Sequence, residues 1–200
     1  MRSVESRAVG LDAPQVEETA VKIFNVPNLL SLSRILAVPI FVILMLEKNP
    51  LRALIAGIVF SLAAATDWLD GYLARRWGQV TNIGKLLDPV ADKILIMSAM
   101  VILVEVDIIR AWIAIVFIGR EFAVTGLRSI AASEGIVIPA ETMGKVKVVA
   151  QTIAVIALIL TDYLNDMWLK NIGWGALWVA MFLSIYSAGQ YFRTYNKQLD

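Results

Sequence analysis

Six long apolar stretches constrain this chain more than any other feature. Each is close to the ~20 residues that a helix needs to cross a bilayer. Hydrophobic residues make up 58% of the chain and charged residues 18%, against about 45–50% and 25% in soluble domains. We therefore predict an all-α integral membrane protein with six transmembrane helices. The stretches are 27–46, 52–75, 83–104, 111–131, 144–161 and 172–192.

Residues 1–24 form a polar extension ahead of the membrane domain, which we place at 25–195. The extension has no apolar core with a small-residue cleavage site, so it does not have the pattern of a signal peptide. Val16, Ala20 and Ile23 share one face at helical spacing, which predicts an interfacial amphipathic helix on the membrane surface. A disordered tail is the alternative.

The positions of the basic residues predict the orientation. With both termini in the cytoplasm, the outer loops hold only Lys48, Arg52, Arg110 and Lys170 of the 18 lysines and arginines. Cytoplasmic loops are normally the basic ones. We therefore expect the acidic positions described next to face the cytoplasm.

The residue types that are missing exclude several kinds of chemistry. The chain has no cysteine and no histidine, which rules out thiolate nucleophiles, imidazole bases and Cys- or His-ligated metals. Its net charge is +1, so no basic field indicates a nucleic-acid partner. Acid–base chemistry would therefore use carboxylates, lysine or tyrosine.

Four carboxylates lie within otherwise apolar helices, where an ionised side chain costs about 3 kcal/mol. Asp67 and Asp70 share a face of the second predicted helix, and Asp88 and Asp92 share a face of the third. The short connection makes these helices antiparallel neighbours, so the two acidic stripes can face each other. An all-oxygen cleft suits two Mg²⁺ or Mn²⁺ ions, and paired metals are typical of displacement at phosphorus.

Small residues and one arginine accompany the acidic positions. Gly71, Ala74 and Gly84 would let a nucleotide approach the helix backbone, and Arg75 would offer a fixed cation to a phosphate. Small residues in membrane helices also mark close helix packing. That alternative accounts for Ala74 or Gly84 taken singly, but not for two aligned acidic stripes.

A second polar set lies in the fourth and fifth predicted helices. Arg120, Arg128 and Lys145 would place cations beside the acidic cleft, which favours an anionic acceptor such as a phosphorylated alcohol. The alternative is that these residues only set topology or, for Arg120, pair with Glu121. We expect Lys147 to be a topology-setting lysine at the membrane interface.

The pattern Asp-x2-Asp-Gly-x2-Ala-Arg-x8-Gly-x3-Asp-x3-Asp, from Asp67 to Asp92, resembles the signature of the CDP-alcohol phosphotransferase family. The resemblance implies six membrane helices around a dinuclear metal site and transfer of a phosphoryl unit from a CDP-linked donor to an alcohol. It implies that Asp67, Asp70 and Asp88 are metal ligands and that Asp92 is the general base and also touches a metal. Residues that would hold the CDP moiety are Gly71, Ala74, Arg75 and Gly84.

The runs Gly119 to Arg128 and Gly144 to Lys147 resemble the bacterial branch of this family that uses glycerol 3-phosphate as acceptor and CDP-diacylglycerol as donor. The resemblance implies a homodimer in the bacterial inner membrane with a cytoplasmic active site. Arg120, Arg128 and Lys145 would bind the acceptor phosphate. Asn28, Ser31 and Arg34 would line the first-helix side of the pocket, and Asn28 and Ser31 would contact the CDP moiety, although Ser31 stands where threonine is usual.

Two other functions are also consistent with the sequence. The same chemistry could serve another acceptor, such as phosphatidylglycerol or an inositol phosphate. Acidic clusters in membrane helices also mark ion pathways, so a divalent-cation transporter is an alternative from another class. The nearly charge-free outer halves of the helices and the lack of an inverted repeat disfavour it.

Overall fold

The computed structural model of the protein describes residues 26–47, 49–77, 82–136 and 142–199, and every regular element in these ranges is an α-helix. The predicted extension 1–24 lies outside the described residues. The all-α prediction is confirmed. The helices are α1 (Val26–Leu46), α2 (Pro50–Trp77), α3 (Asn82–Glu105), α4 (Ala111–Ser133), α5 (Thr142–Leu164) and α6 (Met167–Leu199).

Local capping chemistry explains where several helices begin and end. The Asn49 side chain accepts a hydrogen bond from the Leu51 amide at 2.9 Å, and Pro50 occupies the first helical position, which proline favours. The Asp166 side chain accepts one from the Trp168 amide at 2.8 Å in the same way. These caps start α2 two residues and α6 five residues earlier than the apolar stretches alone predict.

Helix α4 ends at a glycine in the left-handed region. Gly135 has φ +77°, which costs glycine little because it has no Cβ. The Gly135 amide donates to the Ala132 carbonyl at 3.2 Å, and the Ile136 amide donates to the Ala131 carbonyl at 2.9 Å. This pair of bonds is a Schellman motif, which satisfies the last carbonyls of the helix.

The six helices contact one another as a closed ring in the order α1, α2, α5, α6, α4 and α3. Helix α3 also contacts α2 and α5 across the ring. Close approach between α5 and α6 depends on Gly173, where a Cβ would lie 2.8 Å from Leu158 Cγ. The apolar core includes Phe41 on α1 and Phe60 on α2, whose ring centroids are 5.6 Å apart.

Polar and apolar side chains are distributed opposite to the pattern of a soluble protein. Large apolar side chains such as Phe182, which is 70% exposed, lie on the outer faces of the helices, whereas Arg34 and Lys147 are buried. Two segments, Asn28–Leu46 and Met167–Gln198, are long and apolar enough to cross a membrane, and Pro50–Thr66 and Val146–Thr161 are shorter apolar helices. This surface is typical of a protein that packs against lipid. The count of six spans stays a prediction.

Candidate active site

The up-and-down arrangement of the helices brings the predicted site residues toward one end of the ring. They lie in the N-terminal halves of α1, α3 and α5 and from the middle to the C-terminal end of α2 and α4. Because successive helices run in opposite directions, these segments meet at one end. That end is called here the polar end.

The acidic positions lie on α2 and α3, two helices that contact each other and that both contact α1. Asp67 and Asp70 are three residues apart on α2, and Asp88 and Asp92 are four apart on α3. Among the acidic residues and the small residues and arginine that accompany them, Asp92 alone has a side chain that the structure describes. The side chains that lie outside the described part of the chain are those of Asp67, Asp70, Gly71, Ala74, Arg75, Gly84 and Asp88.

Asp92 forms an ion pair between α3 and α1. Its Oδ1 accepts a hydrogen bond from Arg34 Nη1. The side chain of Arg34 is fully buried, while that of Asp92 remains 44% exposed. The other predicted residues of α1, Asn28 and Ser31, are buried and lie at three-residue spacing before Arg34. Helix α1 thus supports the carboxylate that we predict to be the base.

A second charged cluster joins α4 to α5. Glu121 Oε2 accepts hydrogen bonds from Lys147 Nζ at 2.6 Å and from Arg120 Nη1 at 3.2 Å. The prediction that Lys147 is an interface lysine is wrong, because its side chain is only 6% exposed. A buried ammonium needs such a carboxylate to remain charged. The Arg120–Glu121 pairing left open by the sequence does occur.

The spacing of Lys147 could have revealed its burial. Lys147 is buried on α5. The buried residues Gln151, Ala154, Val155 and Leu158 follow it by four, seven, eight and eleven residues, which places all five on one helix face. A lysine at the end of such a stripe points toward the helix bundle.

Helix α6 contributes to the cluster through Arg120, although sequence analysis assigned it no site residue. Arg120 Nε donates to the Ser184 carbonyl at 2.9 Å, and Arg120 Nη2 donates to Ser187 Oγ. The side chain of Arg120 is 9% exposed. These contacts anchor the guanidinium between α4 and α6.

Helix α3 joins the same cluster through Lys93. Its Nζ donates to Thr125 Oγ1 at 2.7 Å, and the Thr125 hydroxyl donates to the Glu121 carbonyl at 2.7 Å. Within the described residues, this cluster therefore combines three cations, Lys93, Arg120 and Lys147, with the carboxylate of Glu121, which Arg120 and Lys147 contact directly. The cluster carries an excess of positive charge, which suits an anionic ligand.

The structure says less about Arg128 and Lys145, the other two residues predicted to bind the acceptor phosphate. Arg128 lies two turns after Arg120 on α4 and is exposed. Lys145 lies in the first turn of α5, but its side chain lies outside the described part of the chain. The structure thus bonds Arg120 to α6 and links it through Glu121 to Lys147 of α5, and it leaves Arg128 at the surface of α4.

The sequence profile described as "CDP-alcohol phosphatidyltransferase" matches residues 24–186, a range that contains every site residue predicted above. The chain is 45% identical over 181 residues to the CDP-diacylglycerol--glycerol-3-phosphate 3-phosphatidyltransferase of Bacillus subtilis (strain 168), covering 84% of this chain and 94% of that protein.

Proteins of the same name in other bacteria are also similar to this chain. Identity is 34% over 174 residues for Rickettsia bellii (strain RML369-C), with 86% of this chain and 96% of that protein covered. It is 37% over 173 residues for Shigella flexneri serotype 5b (strain 8401), with 84% and 93% covered. The similarity therefore spans nearly the full length of each relative.

Proposed function

The chain belongs to the CDP-alcohol phosphatidyltransferase family, and from that premise we propose that it transfers the phosphatidyl group of CDP-diacylglycerol to sn-glycerol 3-phosphate. The products are phosphatidylglycerol phosphate and CMP. The observation that carries the proposal is the link between the Asp92–Arg34 pair and the cationic cluster around Glu121, made by Lys93, which follows Asp92 on α3 and bonds to Thr125 on α4. The relatives named for this reaction support the choice of donor and acceptor.

The proposed site uses two divalent ions. Asp67, Asp70, Asp88 and Asp92 offer only carboxylate oxygens, and this donor set fits Mg²⁺ or Mn²⁺. When bound, the ions would supply positive charge that stabilises the charge developing on the phosphoryl oxygens. The CDP moiety would lie along Gly71, Ala74, Arg75 and Gly84, with Asn28 and Ser31 on the α1 side.

Asp92 is the proposed general base. It takes the proton from the acceptor hydroxyl, whose oxygen then bonds to the phosphorus nearer diacylglycerol. The bond from that phosphorus to the bridging oxygen breaks, and CMP leaves with the electron pair. Arg34 holds the Asp92 carboxylate from the buried side of α1, which limits the rotation of the base and keeps it at the end of the ring.

The acceptor phosphate docks on Arg120, Arg128 and Lys145 in this proposal. Arg120 offers a planar guanidinium already held in place by α6, and planar donors suit bidentate contacts with phosphate. The excess positive charge of Lys93, Arg120 and Lys147 over Glu121 favours a dianionic acceptor over an uncharged alcohol. Serine or choline would leave that charge without a counterpart.

The setting of this reaction is also part of the proposal. All six helices span the bacterial inner membrane, with the polar end at the cytoplasmic face, where glycerol 3-phosphate is soluble and CDP-diacylglycerol enters from the lipid. The apolar outer faces of the helices support this arrangement. The family resemblance further implies a homodimer, which the mass of the purified protein in detergent, measured by light scattering, would test.

Release of CMP by the purified protein tests the proposed function. CDP-diacylglycerol and Mg²⁺ are supplied with and without glycerol 3-phosphate, and Asp88→Asn is compared with Asp166→Asn. Asp166 lies at the opposite end of the ring, and asparagine can replace its capping bond. We expect release that depends on glycerol 3-phosphate and on the metal, lost in Asp88→Asn and retained in Asp166→Asn.

Other outcomes would contradict separate parts of the proposal. If CMP is released with another alcohol but not with glycerol 3-phosphate, glycerol 3-phosphate is not the acceptor. Undiminished release of CMP after chelation of divalent ions would contradict the proposed dependence on metal ions. No release with any acceptor would overturn the transferase assignment for the purified protein.

A further inference from the structure

The guanidinium of Arg120 is held by more groups than pairing with Glu121 requires. In the described part of the chain, its Nε donates to the Ser184 carbonyl, its Nη2 to Ser187 Oγ and its Nη1 to Glu121 Oε2. A guanidinium has five N–H groups. Three are occupied, which leaves one on each terminal nitrogen, the number that a bidentate contact with a phosphate uses.

Ser187 is oriented for its contact with Arg120. Its hydroxyl donates to the Ser184 carbonyl at 3.2 Å, so its lone pairs are available to the arginine. The side chain is fully buried, and α6 packs against both α4 and α5. The hydroxyl therefore fixes one edge of the guanidinium plane from a rigid helix.

We propose that Ser187 is a positioning residue for the acceptor phosphate, and that it acts by fixing the plane of the Arg120 guanidinium. This inference rests on the proposed function, since it assumes that Arg120 binds glycerol 3-phosphate. Ser187 does not touch the substrate. It turns the two remaining N–H groups of Arg120 toward the ligand before the ligand arrives, which lowers the ordering cost of binding.

Ser184 provides a matched control on the same helix. Both serines are fully buried, but Ser184 contacts Arg120 only through its backbone carbonyl. Its hydroxyl has no hydrogen-bond partner in the described part of the chain. Ser184→Ala and Ser187→Ala therefore make the same chemical change at equal burial, and only Ser187→Ala removes a bond to Arg120.

The test is steady-state CMP release by the full chain in mixed micelles, with each substrate varied in turn. We expect Ser187→Ala to raise the KM for glycerol 3-phosphate by about threefold to tenfold, the loss that one hydrogen bond supplies. Its kcat and its KM for CDP-diacylglycerol should stay within about twofold of wild type. Ser184→Ala should match wild type, and Ser187→Thr, which keeps the hydroxyl, should restore the KM.

Binding without turnover gives a second measurement. Glycerol 3-phosphate should raise the melting temperature of Ser187→Ala less than that of wild type or Ser184→Ala. An unchanged KM in Ser187→Ala, or an equal rise in Ser184→Ala, would overturn the positioning role. So would a fall in kcat and a rise in both KM values together with a lower melting temperature, since that pattern reports a structural defect.

The two proposals fail in different ways. If wild-type protein shows no release dependent on glycerol 3-phosphate, the proposed function and the role of Ser187 fall together. If wild type uses glycerol 3-phosphate and the two serine variants behave alike, only the role of Ser187 falls.

Discussion

At the scale of single residues, the burial of Lys147 depends on a carboxylate supplied by another helix. An ammonium moved from water into a protein interior costs several kcal/mol unless it is paired. Glu121 meets that requirement, and Arg120 shares the same carboxylate oxygen. Removing either partner therefore leaves the other charge poorly compensated, whereas removing both should cost less than the two separate losses.

Lys147→Met and Glu121→Gln test this coupling in a double-mutant cycle. Each single variant should unfold at a lower temperature than wild type. The double variant should lose less stability than the sum, by about 1 kcal/mol or more. Thermal unfolding in detergent measures the cycle, and Lys170→Met, at an exposed position on α6, is the control. Strictly additive losses would show that the pair is not coupled.

Asp92→Asn tests the role of the base. Asparagine can still accept the bond from Arg34, so we expect the fold and nucleotide binding to persist. It cannot take a proton, so turnover should fall by at least about a hundredfold. CMP release and binding of a CDP-linked ligand, measured on the same preparation, separate the two effects. Turnover of Asp92→Asn at the wild-type rate would show that Asp92 is not the general base.

At the scale of helices, the contact between α5 and α6 depends on the absence of one side chain. A Cβ at Gly173 would lie 2.8 Å from Leu158 Cγ, 2.9 Å from its Cδ2 and 3.2 Å from its backbone nitrogen. The leucine side chain can rotate away, but the backbone nitrogen cannot. The helices would have to separate, and contacts along both would weaken.

Gly173→Ala should therefore destabilise the protein by about 1–3 kcal/mol, the usual cost of overpacking. Gly175 lies two residues farther along α6, and a Cβ there meets nothing within 4 Å. Gly175→Ala should be neutral or stabilising, because alanine favours a helix more than glycine does. Melting temperatures in detergent compare the two variants. Equal values would contradict the close approach of α5 and α6.

At the scale of the whole molecule, the ring places charge inside one end and apolar side chains outside. Exposure of large apolar side chains such as Phe182 and Ile115 to water would be unfavourable, and so would burial of the charged Arg34 in an apolar core. Lipid around the ring and a polar cleft within one end account for both. The proposed topology then requires α4 and α6 each to carry the chain across the membrane.

Labelling of single cysteines tests that topology without background, because the chain contains no cysteine of its own. Cysteine at Arg110 or Met167 should react with an impermeant maleimide in intact spheroplasts. Cysteine at Ala132 or Lys197 should react only after permeabilisation. All four positions are exposed. If only Ala132→Cys and Lys197→Cys react in intact spheroplasts, the orientation is opposite to the proposed one. If the cysteines at both ends of α4, or at both ends of α6, react from the same side, that helix does not cross the membrane.

Much of the fold could be predicted because helices are determined locally. Apolar runs of about twenty residues located all six helices, and the unrecognised caps at Asn49 and Asp166 account for the early starts of α2 and α6. The spacing of Asp88 and Asp92 on one helix face is likewise a local property. Those predictions needed no knowledge of which helices are neighbours.

The all-α class, the helix positions, the family signature and the chemical types available to the site all follow from the order of amino acids along the chain. Which groups meet is set by the packing of the helices: Arg34 with Asp92, Lys147 with Glu121, and Arg120 with Ser187. These partners lie 58, 26 and 67 residues apart. Such pairings depend on the order of helices in the ring and on the rotation of each helix, and both are set by close packing between distant segments, as at Gly173 against Leu158.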